Sequence, residues 1–415
     1  MDAKISVRNV YKIFGDQAVA ALERLNDGET KEEILAATGA TVGVRDVSFD
    51  VREGEIFVVM GLSGSGKSTL VRMFNGLNPP TAGQILIDGE DLGSAGEEGL
   101  RRLRREKVAM VFQHFALFPH WSVIDNAAYG LKIKGVRPAE RREKAREALD
   151  RVGLGPWADS LPSELSGGMQ QRVGLARGLA TEPEVMLMDE PFGALDPLIR
   201  REMQDELLEL QASLKKTIIF ITHDLNEALL LGDKIAIMKD GAVVQIGTAQ
   251  EIVAHPADDY VAAFVADIDR GRVFKVKDIA ERPETVQLAT DTGDDAMRSM
   301  EDLNRNAMFV LDGEKIAGVV TYQSLSSAAQ EDDRDTPTLQ EALITDFDSV
   351  GKDTQLHNLY GAASTGLPIA VTDDEDRLVG VVESEAVLAQ LSPETARPPV
   401  SDKLPLGPEE EGTNA

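Results

Sequence analysis

The stretch IFVVMGLSGSGKSTLVRMF, residues 56–74, decides how the rest of the chain is read. Its first five residues are all apolar, which predicts a short strand buried on both faces. GLSGSGKS at 61–68 then turns the chain, and TLVRMFNGL continues with apolar residues at helical spacing. A strand that passes into a helix through Gly61, Gly64 and Gly66 presents a run of backbone N–H groups at the helix N-terminus, a site for phosphate. Glycine is needed because a backbone closing around phosphate has φ angles and close approaches that a Cβ obstructs. Lys67 is aimed at the β- and γ-phosphates of a nucleotide and Ser68 offers a hydroxyl to Mg²⁺, with Ser63, Ser65 and Thr69 completing the loop.

The same grammar extends outward. KVAMVFQ at 107–113, VMLMDE at 185–190 and TIIFITH at 217–223 are further short apolar runs ending in polar residues, separated by helical patterns. An α/β sheet is therefore expected from residue 43 to about 250, with ligands at the carboxyl ends of its strands. Asp189 supplies the carboxylate that holds Mg²⁺ through water, and Glu190 beside it polarises the attacking water. Residues 18–40 read as a helical hairpin broken at Asp27 and Gly28. Beyond Tyr260 the pattern changes: NAMFVLDGEKIAGVVTYQSL at 306–325 and LPIAVTDDEDRLVGVVESEAVL at 367–388 repeat strand, acidic turn, Gly-Val-Val strand and helix. The Pro- and acid-rich end from residue 393 reads as a disordered tail.

The chain of 415 residues carries 43 Lys and Arg against 71 Asp and Glu, a formal charge of −28. Residues 1–270 hold 31 basic and 42 acidic side chains, and the remainder 12 and 29, so the C-terminal third carries most of the excess. Such a surface is a poor partner for nucleic acid. The absence of Cys excludes disulfides, thiolate metal sites and a Cys nucleophile. His114, His120, His255 and His357 form no metal-binding pattern. No apolar run approaches the length of a membrane span and no secretion signal is evident, so neither crossing nor export is expected. Arg101, Arg102, Arg104, Arg105 and Lys107 read as a solvated helix face.

LSGGMQQR at 165–172, together with GLSGSGKS, VFQ, MDEP, ALDP and ITHD in that order, resembles the ABC transporter ATPases over roughly the first 265 residues. The resemblance implies an ABC-type P-loop nucleotide-binding domain with a helical subdomain, ATP and Mg²⁺ as ligands, and hydrolysis of ATP. It implies that Ser166, Gly167, Gly168 and Gln170 face ATP held by a second copy of the chain in a head-to-tail homodimer. By the same resemblance Gln113 approaches Mg²⁺ and the lytic water, His223 contacts the γ-phosphate and steadies Glu190, and Asp196 links the two sites. Phe14 stands where the family stacks a ring on adenine, with Tyr11 nearby as an alternative.

The hairpin after NVYKIFG, followed by VGVRDVSFDVREGEIFVVMGLSGSGKST and VFQHFALFPHWSVIDNAAYG, is similar to the ATPase subunits of glycine betaine, proline betaine and choline importers. Transmembrane permease subunits, a substrate-binding protein acting indirectly, and a peripheral place on the cytoplasmic face of the inner membrane are implied. Amino-acid or metal importers are the nearer alternative, and a non-transport ABC ATPase the more distant one. The two C-terminal repeats resemble a tandem α+β pair of CBS domains. The expected organisation is an ATPase domain over 1–267, repeats over 268–333 and 334–392, and a tail over 393–415. CBS pairs that bind adenine nucleotides follow the Gly-Val-Val strand with Thr and then Asp. Here Thr321 is followed by Ser324, and Glu383 by Ala386, so adenine-nucleotide sensing is not expected; ionic strength or a cyclic dinucleotide are the remaining signals.

Overall fold

The computed structural model describes residues 3–113, 115–331 and 338–391; His114 and the expected tail lie outside the described residues. The chain divides into two compact units, Met1–Val265 and Ala266–Ala415. In chain order the strands of the first are Ile5–Phe14 (β1), Thr41–Val51 (β2), Ile56–Met60 (β3), Ala82–Ile87 (β4), Glu90–Asp91 (β5), Val108–Val111 (β6), Val185–Asp189 (β7), Thr217–Thr222 (β8), Lys234–Lys239 (β9) and Ala242–Gly247 (β10). They form two sheets, ordered β2-β1-β4-β5 and β10-β9-β3-β8-β7-β6. Within the larger sheet β9, β3, β8, β7 and β6 run parallel and β10 closes one edge antiparallel. All five residues of β3 and of β7, and all six of β8, are buried, which explains sequences that are apolar except for Asp189, Thr217 and Thr222 at the strand ends.

The helix Lys67–Phe74 directs Leu70, Val71, Met73 and Phe74 into a core shared by both sheets. Phe49 of β2 stacks on Phe57 of β3 with centroids 4.6 Å apart, so the smaller sheet is pinned to the strand that carries the phosphate loop. The segment expected as a helical hairpin forms the helices Ala18–Asn26 and Lys31–Thr38. Thr30 and Glu33 make a reciprocal cap at the start of the second, and Gly39 ends it in the left-handed region. Ala21 and Ile34 bury themselves against Ile13 and Val42, one on each of the strands that the hairpin joins. The basic run lies on the helix Gly96–Glu106, where Arg101 pairs with Glu97, Arg102 with Glu90 and Arg105 with Glu106, while Lys107 just beyond it pairs with Asp88.

The second unit contains Thr285–Gln287 (β11), Ala307–Asp312 (β12), Lys315–Thr321 (β13), Ser349–Gly351 (β14), Ile369–Thr372 (β15) and Leu378–Val382 (β16). Its two sheets are copies: a short strand parallel to a central one, then an antiparallel partner. The leading segments are exchanged. Ile344 makes two backbone hydrogen bonds with Val319 of β13, and Glu281 makes the same pair with Val381 of β16. Phe309, Val319, Ala370 and Val381 form a common apolar cluster. A Cβ on Gly318 would stand 2.5 Å from the Ile344 carbonyl oxygen, so the exchange requires glycine there. Replacing Gly318 by Val should therefore part Ile344 from β13, cost about 1–3 kcal/mol and open the second unit to limited proteolysis. An unchanged melting curve and digestion pattern would show that the bridge contributes nothing.

Candidate nucleotide and hydrolysis site

The carboxyl ends of β3, β7 and β8 deliver the phosphate loop, Asp189 with Glu190, and His223 to one edge of the larger sheet. A cleft of 630 Å³ lies there, lined by the loop residues Ser63, Gly64, Gly66, Lys67, Ser68 and Thr69 with Phe14, Glu190 and His223. Gly66 has φ +103°, and a Cβ on it would lie 2.4 Å from the Gly43 carbonyl oxygen. The Lys67 ammonium donates to the carbonyls of Gly61 and Leu62 at 2.8 and 3.0 Å, and burial lowers its pKa. Ser65, which does not line the cleft, is buried with a hydroxyl that has no hydrogen-bond partner among the described residues.

Ser68 Oγ donates to Asp189 Oδ1 at 3.1 Å. A hydroxyl and one carboxylate beside a phosphate site suit Mg²⁺, which takes oxygen ligands, keeps several waters and relies on substrate phosphates for the rest. Burial raises the Asp189 carboxyl, and the Ser68 hydroxyl and the Arg72 guanidinium oppose that rise. Next to it, Glu190 has φ +48°, a conformation that a non-glycine residue adopts only under constraint. Its N–H donates to the Ile221 carbonyl, and its own carbonyl accepts from Gly193. The Gln113 amide donates to Glu190 Oε2 at 3.3 Å, and His223 Nδ1 stands 3.1 Å from the same oxygen. The expected residues Glu190, Gln113 and His223 thus meet at one carboxylate.

Phe14, at the end of β1, is 41% exposed and turns its ring into the cleft, whereas Tyr11 does not line it. Lys12 sits over the ring at 5.1 Å. Thr41, Val42 and Gly43 line the same end and are absent from the sequence reading. A Cβ on Gly43 would stand 2.9 Å from the Phe14 ring, so this glycine makes room for it. A lone glycine inside the apolar pattern of β2 is the signal that marks such a close approach.

The signature residues stand apart from the cleft. Ser166 caps the helix Gly167–Leu179 by accepting from the Met169 N–H, and Asp196 caps Pro197–Leu214 by accepting from Ile199. Among the described residues neither they nor Gly167 and Gly168 line this chain's own cleft. Gln170, expected to face the nucleotide of a second copy, donates its amide to the Pro162 and Leu165 carbonyls at 3.1 and 3.2 Å, bracing the loop that leads into the helix.

Replacing Phe14 by Ala should weaken ATP binding about 5- to 150-fold, the range expected for one aromatic–base stack of about 1–3 kcal/mol. Gly43→Val should reproduce part of that loss by displacing the ring. Nucleotide titration of both variants checks this; unchanged affinity in Phe14→Ala would remove the ring from the adenine site.

The family model for ABC transporters matches residues 44–193. The glycine betaine transport ATP-binding protein OpuAA of Bacillus subtilis is 49% identical over 94% of this chain and 92% of its own length. The trimethylamine N-oxide transport ATP-binding protein TmoW of Ruegeria pomeroyi is 56% identical over 65% of this chain and 79% of its own. Among solved structures, the dimeric ATP-binding cassette MJ0796 in a post-hydrolysis state with ADP and Pi is 32% identical, with a TM-score of 0.50 over 59% of this chain and 98% of that one. The carboxylate held by Gln113 and His223 beside a phosphate loop is therefore that of an ATPase, and the chain belongs to the ABC transporter ATP-binding proteins, in the group that includes those of glycine betaine transport.

Proposed function

We propose that two copies of this ATPase close on two ATP molecules and drive the import of glycine betaine or a related small amine through transmembrane permease subunits. The observation that carries the hydrolytic part is the meeting of Gln113 and His223 on Glu190 Oε2. Glu190 orients water for in-line attack on the γ-phosphate and takes up its proton; Lys67 and His223 offset the charge that develops on the γ-phosphate oxygens. Mg²⁺, held by Ser68 and through water by Asp189 and Gln113, would neutralise phosphate charge. The second copy's Ser166, Gly167 and Gly168 would complete the site, with a capped helix N-terminus that has no phosphate in its own chain.

The choice of solute rests on similarity. The glycine betaine relative matches across both units, whereas the trimethylamine N-oxide relative covers 269 residues. Proline betaine and choline stay within the proposed class. A groove of 460 Å³ beside the Gln113 loop is lined by Leu77, Phe112, Phe118, Tyr129, Ile133 and Arg177. Leu77, Phe112 and Ile133 are exposed there, and the groove adjoins the loop that bears Gln113. We assign it to a cytoplasmic helix of the permease and propose with it a peripheral position on the cytoplasmic face. No helix among the described residues is long and apolar enough to cross a membrane.

The second unit is proposed as a regulatory CBS pair. Thr321 and Ser324 cap each other reciprocally, and in the second repeat Glu383 faces Arg305 at 3.6 Å with Ala386 at the position of Ser324, so neither repeat has a carboxylate at the position expected to hold ribose. That arrangement favours ionic strength or a cyclic dinucleotide over an adenine nucleotide as its signal.

Glu190→Gln should lower turnover about a hundredfold or more while leaving ATP binding intact, and wild-type hydrolysis in that variant would refute the assigned chemistry. Reconstituted with its permease in liposomes, the protein should drive ATP-dependent uptake of betaine, compared with choline and trimethylamine N-oxide while salt is varied. Uptake of none of these would remove the solute assignment and spare the ATPase.

A further inference from the structure

The helix Pro197–Leu214 holds two sets of contacts that the motifs do not account for. On one side it receives the signature helix Gly167–Leu179. A Cβ on Gly168 would lie 2.4 Å from Ile199 Cγ2, and Arg172 pairs with Glu206 and lies 3.4 Å from the Met203 sulfur. On the other side, two residues one turn apart reach the segment around His223. Arg200 donates to the Leu195 carbonyl at 3.2 Å and to Asp224 Oδ2 at 3.5 Å. Gln204, buried, donates to Glu227 Oε1 at 3.1 Å.

Both contacts close on the immediate neighbours of His223. The buried hydroxyl of Thr222 donates to Glu227 Oε2 at 2.6 Å and accepts from the Asp224 N–H at 2.9 Å. Asp224 Oδ1 caps the helix Leu225–Leu231 by accepting from the Asn226 N–H. His223 itself is exposed, with 59% of its side chain open to solvent, and its side chain pairs with Glu190. A ring with so little packing around it takes its position from its backbone, and that backbone is clamped on both sides.

We propose that Arg200 and Gln204 are positioning residues for His223, acting by holding Asp224 and, through Glu227, Thr222. Arg200 binds the Leu195 carbonyl with the same guanidinium, so the loop that bears Asp196 and the backbone of His223 are set by one side chain. The fork geometry matters, because two acceptors in different loops are reached by one planar group. This inference rests on the hydrolytic reading of Glu190 and His223.

The test uses the full-length protein and measures steady-state hydrolysis, nucleotide affinity and melting temperature. Arg200→Ala should lower kcat about ten- to a hundredfold with ATP affinity within about twofold, and Arg200→Lys should restore part of it. Residues that act as one unit are strongly non-additive. The double variant Arg200→Ala with His223→Ala should therefore be no slower than His223→Ala alone. Asp224→Asn, which keeps a capping side chain while removing the charge opposite Arg200, should show the same non-additivity and guards against misfolding of the first variant. Losses that multiply in the double variants, or wild-type kcat in both Arg200→Ala and Asp224→Asn, would overturn the proposal. Glu190→Gln separates the two levels: if it still hydrolyses ATP, the parent reading fails, and if it is inactive while the losses multiply, only this inference fails.

Discussion

The register between β3, β8 and β7 fixes where every reacting group stands. Met60 lies opposite Thr222, and Ile221 opposite Asp189, so Gly61, His223 and Glu190 each follow directly from a paired strand end. A slip of one residue would move a strand by about 3.3 Å and turn its side chains to the opposite face. Hydrogen bonds of about 3 Å to a shared carboxylate oxygen would not survive such a shift. The continuous burial of the three strands and the Phe49–Phe57 stack therefore act on catalysis as well as on stability, because they lock the register that the chemistry requires.

The site carries local costs that this scaffold offsets. Glu190 holds a backbone conformation that costs about 1–3 kcal/mol, Asp189 and Lys67 are buried, and Ser65 has a hydroxyl without a partner. All are unfavourable for the isolated fold, and the buried charges of Lys67 and Asp189 are favourable for a bound polyphosphate with its cation. Binding at such a site also stabilises the protein, since ligand that favours only the folded state shifts the folding equilibrium by mass action.

Much of this was legible in the chain. The phosphate loop, the acidic strand end and the histidine strand end are local patterns whose chemistry depends on neighbours in sequence, and the structure places them together. Phe14 could be read as a cleft residue only through family resemblance, because nothing local separates it from Tyr11. Gly43 escaped because its role is set by a ring 29 positions earlier. The hold of Gln170 on the Pro162 and Leu165 carbonyls escaped for a related reason: these partners lie close in sequence, but only the bend of the loop before the helix turns their carbonyls toward it. Strands β11 and β14, three residues each, are too short to show periodicity and exist through pairing with their neighbours.

The exchanged segments make the two repeats of the second unit depend on each other. Because each repeat's Gly-Val strand is completed by the lead-in of the other, a lone repeat would leave one edge unpaired and one lead-in without a sheet. Two identical copies could satisfy each other by the same reciprocal donation. The tandem pair therefore reproduces within one polypeptide the geometry of a symmetric two-chain assembly, while its halves differ in sequence, with Thr321 and Ser324 in one and Glu383 and Ala386 in the other.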